Sequence, residues 1–302
     1  MNKYGLLPFI REDIFGLETD IAQIRGWELT KFNVPDCWQH TMGEDVRVAV
    51  IDTGCDINHR DIKNNILEGK NFVEPGKLPI DKNGHGTHVA GTIAAENNQI
   101  GMVGVAPKAK IIPVKSLGDN GSGSLRAIVD GIVWAADNGS DFITMSLGSP
   151  GPAQPMEDAI KYAASKGSII FCAAGNSGPS SDIMYPAKYD HTISIGAIDE
   201  NLNRTNFTCS GETLDFLAPG HNIFSCVPDN NYAIMSGTSM SNPFAVGCAA
   251  LLLSYNRKHK KYKLNSYKDY IEVFRKFTIE IPNIMHRERK YQGYGILSAK
   301  NF

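Results

Sequence analysis

The sequence predicts an α/β fold: a doubly wound, mostly parallel sheet with helices on both faces. Two observations predict it. Short apolar runs rich in β-branched residues alternate with helical periods along most of the 302 residues, and no internal repeat or low-complexity linker breaks the alternation. Such alternation implies a parallel sheet covered on both sides, with polar residues gathered at the carboxyl ends of its strands.

The elements follow in order. The segment before Val46 is irregular. Residues 46–51 form the first β-rich run, closed by Asp52-Thr53-Gly54. Residues 110–114, 142–145, 168–173 and 192–197 repeat the type. Among the helical periods, Leu125, Ile128, Val129, Ile132, Val133 and Ala136 recur at three- and four-residue spacing, and Asn138-Gly139 supplies a stop. The last 45 or so residues are more polar, with one helix expected over 267–276. No second domain is expected.

Composition sets the outer limits. Apolar residues make up 42 %, enough for a large core, and the net charge of −2 argues against a dedicated nucleic-acid binder. Residues 251–290 hold eleven Lys/Arg against four Asp/Glu, densest over 257–263. That run reads as the solvated end of a surface helix or as a docking patch for an acidic partner. The six cysteines (37, 55, 172, 209, 226 and 248) form no CxxC pair and no zinc spacing, so reduced thiols are expected. The first apolar run, 5–10, is short and is broken by Pro8, unlike a secretory signal. No stretch approaches the roughly 18 apolar residues of a membrane span. These features predict a cytoplasmic chain with no membrane partner.

Three segments carry chemistry. Val50-Ile51-Asp52-Thr53-Gly54 puts a carboxylate at the end of a buried strand. Asn83-Gly84-His85-Gly86-Thr87-His88 puts an imidazole at the start of a small-residue helix. Ser236-Gly237-Thr238-Ser239-Met240-Ser241-Asn242-Pro243 puts a hydroxyl at the start of another, with Pro243 expected in its first turn. A serine needs a base to become a nucleophile, and the base needs a buried carboxylate to hold one tautomer. The oxyanion then needs preorganised donors. A helix N-terminus at Ser239 supplies one, and Asn176 in Ala173-Ala174-Gly175-Asn176-Ser177-Gly178 supplies another. Singly, each residue reads more readily as a turn or cap. All four together, in the order Asp, His, Asn, Ser, each in a glycine-rich collar, do not.

These segments resemble the signature motifs of the subtilisin family, over about 46–250 and more faintly to Gly293-Tyr294-Gly295. The resemblance implies a serine endopeptidase with Asp52, His85 and Ser239 as its triad and Asn176 as oxyanion donor, and it makes His88 structural. Two features depart from the family: Arg60 follows His59 where proline is usual, and Ser241-Asn242 precede Pro243. Within the family, Val50-Ile51-Asp52-Thr53-Gly54-Cys55 resembles the intracellular subtilisins. Leu6-Leu7-Pro8-Phe9 resembles their short inhibitory segment. An inhibitory extension over 1–22 and a peptidase domain over 23–302 follow as expectations, with an unordered terminus the alternative for the first. With 51 residues before Asp52, a large folded propeptide is not expected.

The family binds substrate as an added strand. The resemblance makes Gly121, Ser122 and Gly123 one edge and Ser146, Leu147 and Gly148 the other. It implies an apolar pocket of Leu117, Leu125, Ile128 and Leu147, which the bland reading makes core. The primary pocket is expected between 146–148 and Ala173, Ala174 and Gly175, with Met184 near its base. Glu96-Asn97-Asn98-Gln99-Ile100-Gly101-Met102 resembles the family's calcium loop. Asp61, the Asn98 side chain and the carbonyls of Glu96, Ile100 and Met102 would then ligate calcium; an ordinary turn is the alternative. The N-terminal ligand is not identified. Two other functions compete: a narrow processing or leader peptidase, and an inactive subtilisin-fold binding protein. Protein or peptide substrates are the expected partners; the sequence is silent on oligomeric state, and a homodimer is compatible with it.

Overall fold

The computed structural model describes residues 4–16 and 22–299. The other residues of the expected 1–22 extension lie outside the described residues. The strands are β1 Tyr4–Leu6, β2 Ile10–Gly16, β3 Arg47–Asp52, β4 Lys70–Asn71, β5 Lys110–Lys115, β6 Ser122–Gly123, β7 Phe142–Met145 and β8 Leu147–Gly148. They continue with β9 Ile169–Ala173, β10 Thr192–Ile198, β11 Phe216–Pro219, β12 Ile223–Val227, β13 Asn231–Ser236, β14 Thr278–Ile279 and β15 Ile296–Leu297. The helices are α1 Trp27–Lys31, α2 Val34–Cys37, α3 His85–Ala94, α4 Leu125–Asp137, α5 Gln154–Ser165, α6 Thr238–His259, α7 Tyr267–Phe274 and α8 Arg289–Gln292.

The central sheet has nine strands in the order β14-β15-β11-β10-β9-β7-β3-β5-β4. Every pairing in it is parallel except β14 with β15. Helices α3 and α6 pack on one another and over the sheet, as do α4 and α5. Strand β7 meets both α4 and α6, and all four of its residues are buried, as a strand covered on both faces requires. The fold is the expected doubly wound one.

Helix α4 covers the predicted period, and Asn138 caps it before Gly139 at φ +71°. The helix expected over 267–276 is α7, which ends at Phe274 with one 3₁₀ turn following. Pro243 is a correction: it lies inside α6, beyond the first turn. Its missing N–H would have bonded the Ser239 carbonyl one turn back; the Ser146 hydroxyl donates to that carbonyl at 3.1 Å instead. All six cysteines are free, and five are buried. Among the described residues, no helix is long and apolar enough to cross a membrane.

Candidate active site

The carboxyl ends of β3, β7 and β9 converge with the N-termini of α3 and α6. Asp52 is the last residue of β3 and is fully buried. His85 opens α3, also fully buried, and its Nδ1 lies 2.8 and 3.0 Å from the two Asp52 oxygens. The Thr53 N–H donates to Asp52 Oδ1 at 2.7 Å and helps fix the carboxylate.

Asp81 locks this arrangement. Its Oδ1 accepts from Thr53 Oγ1, Asn83 N and Gly84 N, each at 2.9 Å. Its Oδ2 accepts from Thr87 N and Thr87 Oγ1 at 2.9 and 2.7 Å. The turn after Asp52 and the start of the His85 helix therefore share one buried carboxylate. Gly84 precedes the helix at φ +101°, and a Cβ on Gly86 would collide with the Gly54 carbonyl. The Asn83-Gly84-His85-Gly86 spacing is thus a packing requirement as well as a motif.

Of the two histidines in the motif, only His85 meets a carboxylate. His88 Nε2 faces the Ile223 and Ala233 carbonyls at 3.0 and 3.2 Å. Burial, with His85 alongside, pushes the His88 imidazole down to about 3, so it is neutral at physiological pH.

Ser239 is the second residue of α6, after Gly237 and Thr238. Its Oγ donates to the Ser146 carbonyl at 3.3 Å, and His85 Nε2 is buried without a hydrogen-bond partner. Asn176 lies three residues past β9. Its Oδ1 accepts from the Thr238 N–H at 2.9 Å and the Thr238 hydroxyl at 2.7 Å. That anchor fixes the amide's orientation and points Nδ2 into the cleft, where it donates to the Pro8 carbonyl at 2.6 Å.

The cleft holds the chain's own N-terminus. Strand β1 lies antiparallel between β6 and β8, with Tyr4 opposite Gly123, Gly5 opposite Ser122 and Gly148, and Leu6 opposite Leu147. Leu6 N also donates to the Gly121 carbonyl at 2.9 Å. Tyr4 is fully buried in the same apolar cluster as Leu117, Ile128 and Leu147, with Leu125 packed against it. Leu7 is 2 % exposed. Its Cδ2 comes within 2.6 Å of where a Gly148 Cβ would stand, and Met184 Cβ within 3.4 Å of the same point. Met184 also backs Gly175, its Cγ 3.0 Å from a Cβ built there, and its N–H bonds the Ala174 carbonyl at 2.9 Å. Ala173 ends β9 beneath them. The Phe9 ring lies 5.0 Å from the His85 ring. Beyond it β2 runs antiparallel to β13, and Arg11 donates to the Asn83 carbonyl at 3.1 Å.

A second cluster lies where Ile24 bridges to Met102. Gln23 Nε2 lies 2.7 Å from the Glu96 carbonyl, 3.2 Å from Asn98 Oδ1, 3.1 Å from the Ile100 carbonyl and 2.9 Å from the Met102 carbonyl. Four oxygens of one loop thus converge on one point. Asp61 adjoins them: its carboxylate accepts from Asn98 Nδ2, Met102 N and the Tyr232 hydroxyl. Among the described residues, no three His, Cys, Asp or Glu gather as a metal site, so any ion here would be held mainly by amide and carbonyl oxygens. Sequence reasoning missed Gln23, Asp81 and Tyr4, whose roles depend on contacts distant in the chain.

A sequence profile of the subtilase family matches residues 43–273. The chain is 40 % identical over 252 residues to the major intracellular serine protease of Bacillus subtilis (strain 168), covering 80 % of this chain and 79 % of that one. It is 39 % identical over 305 residues to the intracellular serine protease of Paenibacillus polymyxa, covering 98 % and 90 %. Subtilisin DY of Bacillus licheniformis is 46 % identical over 215 residues, covering 70 % and 78 %.

Proposed function

The chain belongs to the subtilase family and is a serine endopeptidase; we propose that it works inside the cell through Asp52, His85, Ser239 and Asn176, and that its N-terminus holds it inactive. One observation carries this reading. The side-chain amide of Asn176 already grips a peptide carbonyl, that of Pro8, above the buried His85–Asp52 pair.

In the proposed reaction a peptide lies between β6 and β8, as β1 does. Main-chain pairing makes this binding tolerant of sequence. Turning the Ser239 hydroxyl from the Ser146 carbonyl to His85 Nε2 lets the imidazole take its proton as the serine attacks. Asp52 steadies the imidazolium. The oxyanion is met by Asn176 Nδ2 and by the backbone N–H at the start of α6. The His85 imidazolium passes its proton to the leaving amine as the C–N bond breaks and leaves an acyl-enzyme on Ser239. Water, deprotonated by His85, then attacks that ester, and the proton returns to the Ser239 oxygen as the acid departs.

Leu7 and Pro8 support the inhibitory reading. Leu7 fills the primary pocket, so its carbonyl is the one a substrate would present. The carbonyl on Asn176 is instead that of Pro8, one residue further. Proline fixes φ near −65° and offers no N–H, so the chain is bent and its register at the reacting groups is displaced. Leu6, Leu7, Pro8 and Phe9 thus bind like substrate without presenting a cleavable bond. The primary pocket, narrowed by Met184, suits a leucine-sized side chain.

The ring of Glu96, Asn98, Ile100 and Met102 oxygens suits calcium. With its amide turned over, Gln23 would supply a further oxygen, and Asp61 the charge. Bound calcium would brace this loop and tie Gln23 to it. The intracellular setting is supported by the names of two relatives and by six free thiols. A fluorophosphonate should label Ser239 once the N-terminus is displaced, and casein should be cut. A folded chain freed of residues 1–20 that neither labels nor cuts would overturn the reading.

A further inference from the structure

Lys115 ends β5 beside Asp52 in the parallel ladder, and its side chain is only 4 % exposed. A lone buried ammonium is costly, so its partners matter. Nζ donates to the Thr53 carbonyl at 2.6 Å and to Asp119 Oδ1 at 2.8 Å. Thr53 is the residue whose N–H holds the Asp52 carboxylate and whose hydroxyl bonds Asp81. That hydroxyl also accepts from Gly86 N, in the first turn of α3. Asp119 belongs to the turn that ends in Gly121, whose carbonyl receives Leu6 N, just before the edge strand β6.

The same turn is held from a second side. Asn83 Nδ2 donates to the Asp119 carbonyl at 2.9 Å, while Asn83 Oδ1 accepts from His85 N at 3.3 Å. The substrate edge thus has two short connections to the reacting groups. One runs through Lys115 to the Asp52 turn, the other through Asn83 to the His85 helix.

We propose that Lys115 and Asp119 are positioning residues: the ion pair between the buried Lys115 and the half-exposed Asp119 sets the height of the β6 edge relative to Asp52 and His85, so that a long substrate is delivered in register. The inference rests on the reading of Asp52, His85 and Ser239 as the triad. It concerns what happens several residues before the cut. A substrate too short to reach β6 does not use the edge, whereas one with four residues before the cut does.

The test compares two substrates on the full chain at the steady state reached after its lag, once the N-terminus has been released, with rates normalised to sites titrated by a fluorophosphonate. One is a leucine ester with nothing before the leucine; the other carries four residues before the cut and ends in leucine. For Asp119→Asn, the ratio of kcat/KM for the long substrate to that for the short one should fall about fivefold, mainly through KM, the effect of weakening one charged hydrogen bond. Asp119→Glu should restore at least half of it. Lys115→Met should lower the same ratio and also lower kcat on both substrates, because the Thr53 carbonyl is released. Asp119 is half exposed, so Asp119→Asn should fold even where Lys115→Met does not. A normal ratio in labelled Asp119→Asn enzyme, or an equal loss on both substrates, would overturn the proposal alone. Absence of labelling in the wild-type chain after its N-terminus has been released would overturn it together with the triad.

Discussion

Asn176 donates its side-chain amide to the carbonyl of Pro8 at 2.6 Å, and its own oxygen is pinned by the N–H and hydroxyl of Thr238. The amide is therefore held in one orientation, as its proposed role as donor to a developing oxyanion requires. Asn176→Ala should lower kcat by roughly 10²–10³, the loss known for the corresponding amide of subtilisin. KM should barely change, because the bond strengthens only as charge develops. Steady-state kinetics on a peptide amide checks this, and a main effect on KM would sink the role.

The two histidines of one helical turn should behave differently. His85→Ala should remove nearly all turnover; in subtilisin, losing the equivalent base costs about 10⁶. His88 is neutral and bonded to carbonyls of β12 and β13, so His88→Ala should act on stability and leave an active fraction with near-normal kcat. Rates per titrated site separate the two. Near-normal turnover in His85→Ala, with loss in His88→Ala, would reverse the assignment.

Glu28 gives a pH-dependent prediction away from the cleft. It is 3 % exposed, its Oε2 has no hydrogen-bond partner, and burial raises its carboxyl to about 7. A raised carboxyl binds its proton more tightly in the native state. Its contribution is therefore full below the unfolded value of about 4.5 and is lost as pH rises towards 7. Glu28→Gln should stabilise the protein at pH 8 by about 2–4 kcal/mol relative to its effect at pH 4.5. Denaturant melts at the two pH values read this directly. A difference that does not grow with pH would contradict it.

Calcium should raise the unfolding temperature, because a ligand of the native state stabilises by mass action. Gln23→Ala, Asn98→Ala and Asp61→Ala should each weaken the response. Melting curves identical in calcium and in chelator would remove the site.

Much of this architecture was legible in the sequence, for physical reasons. The five core strands of the sheet are buried on both faces and so read as continuous apolar runs. The residues proposed to react sit where strands end and helices begin, which forces glycines around them. The remainder depends on long-range meetings that leave no local pattern. Gln23 reaches Asn98 across 75 residues, and Asp81 joins two loops that each look like ordinary turns. Strands β6 and β8 are two residues each, too short for any periodicity, and become edges only because β1 lies between them. Pro243 was expected in a first turn because proline usually costs a helix bond; here Ser146 satisfies the freed carbonyl.

The central claim is that the N-terminus occupies the cleft of an otherwise complete protease. The most direct measurement is the progress curve of peptide hydrolysis by the full chain, by the chain lacking residues 1–20, and by Pro8→Ala, with N-terminal mass followed alongside. The full chain should show a lag that ends as N-terminal cleavage appears. The truncated chain should start at full rate. Pro8→Ala should shorten the lag by restoring a cleavable register at Leu7. Equal initial rates for the full and truncated chains, with no N-terminal cleavage, would contradict the account.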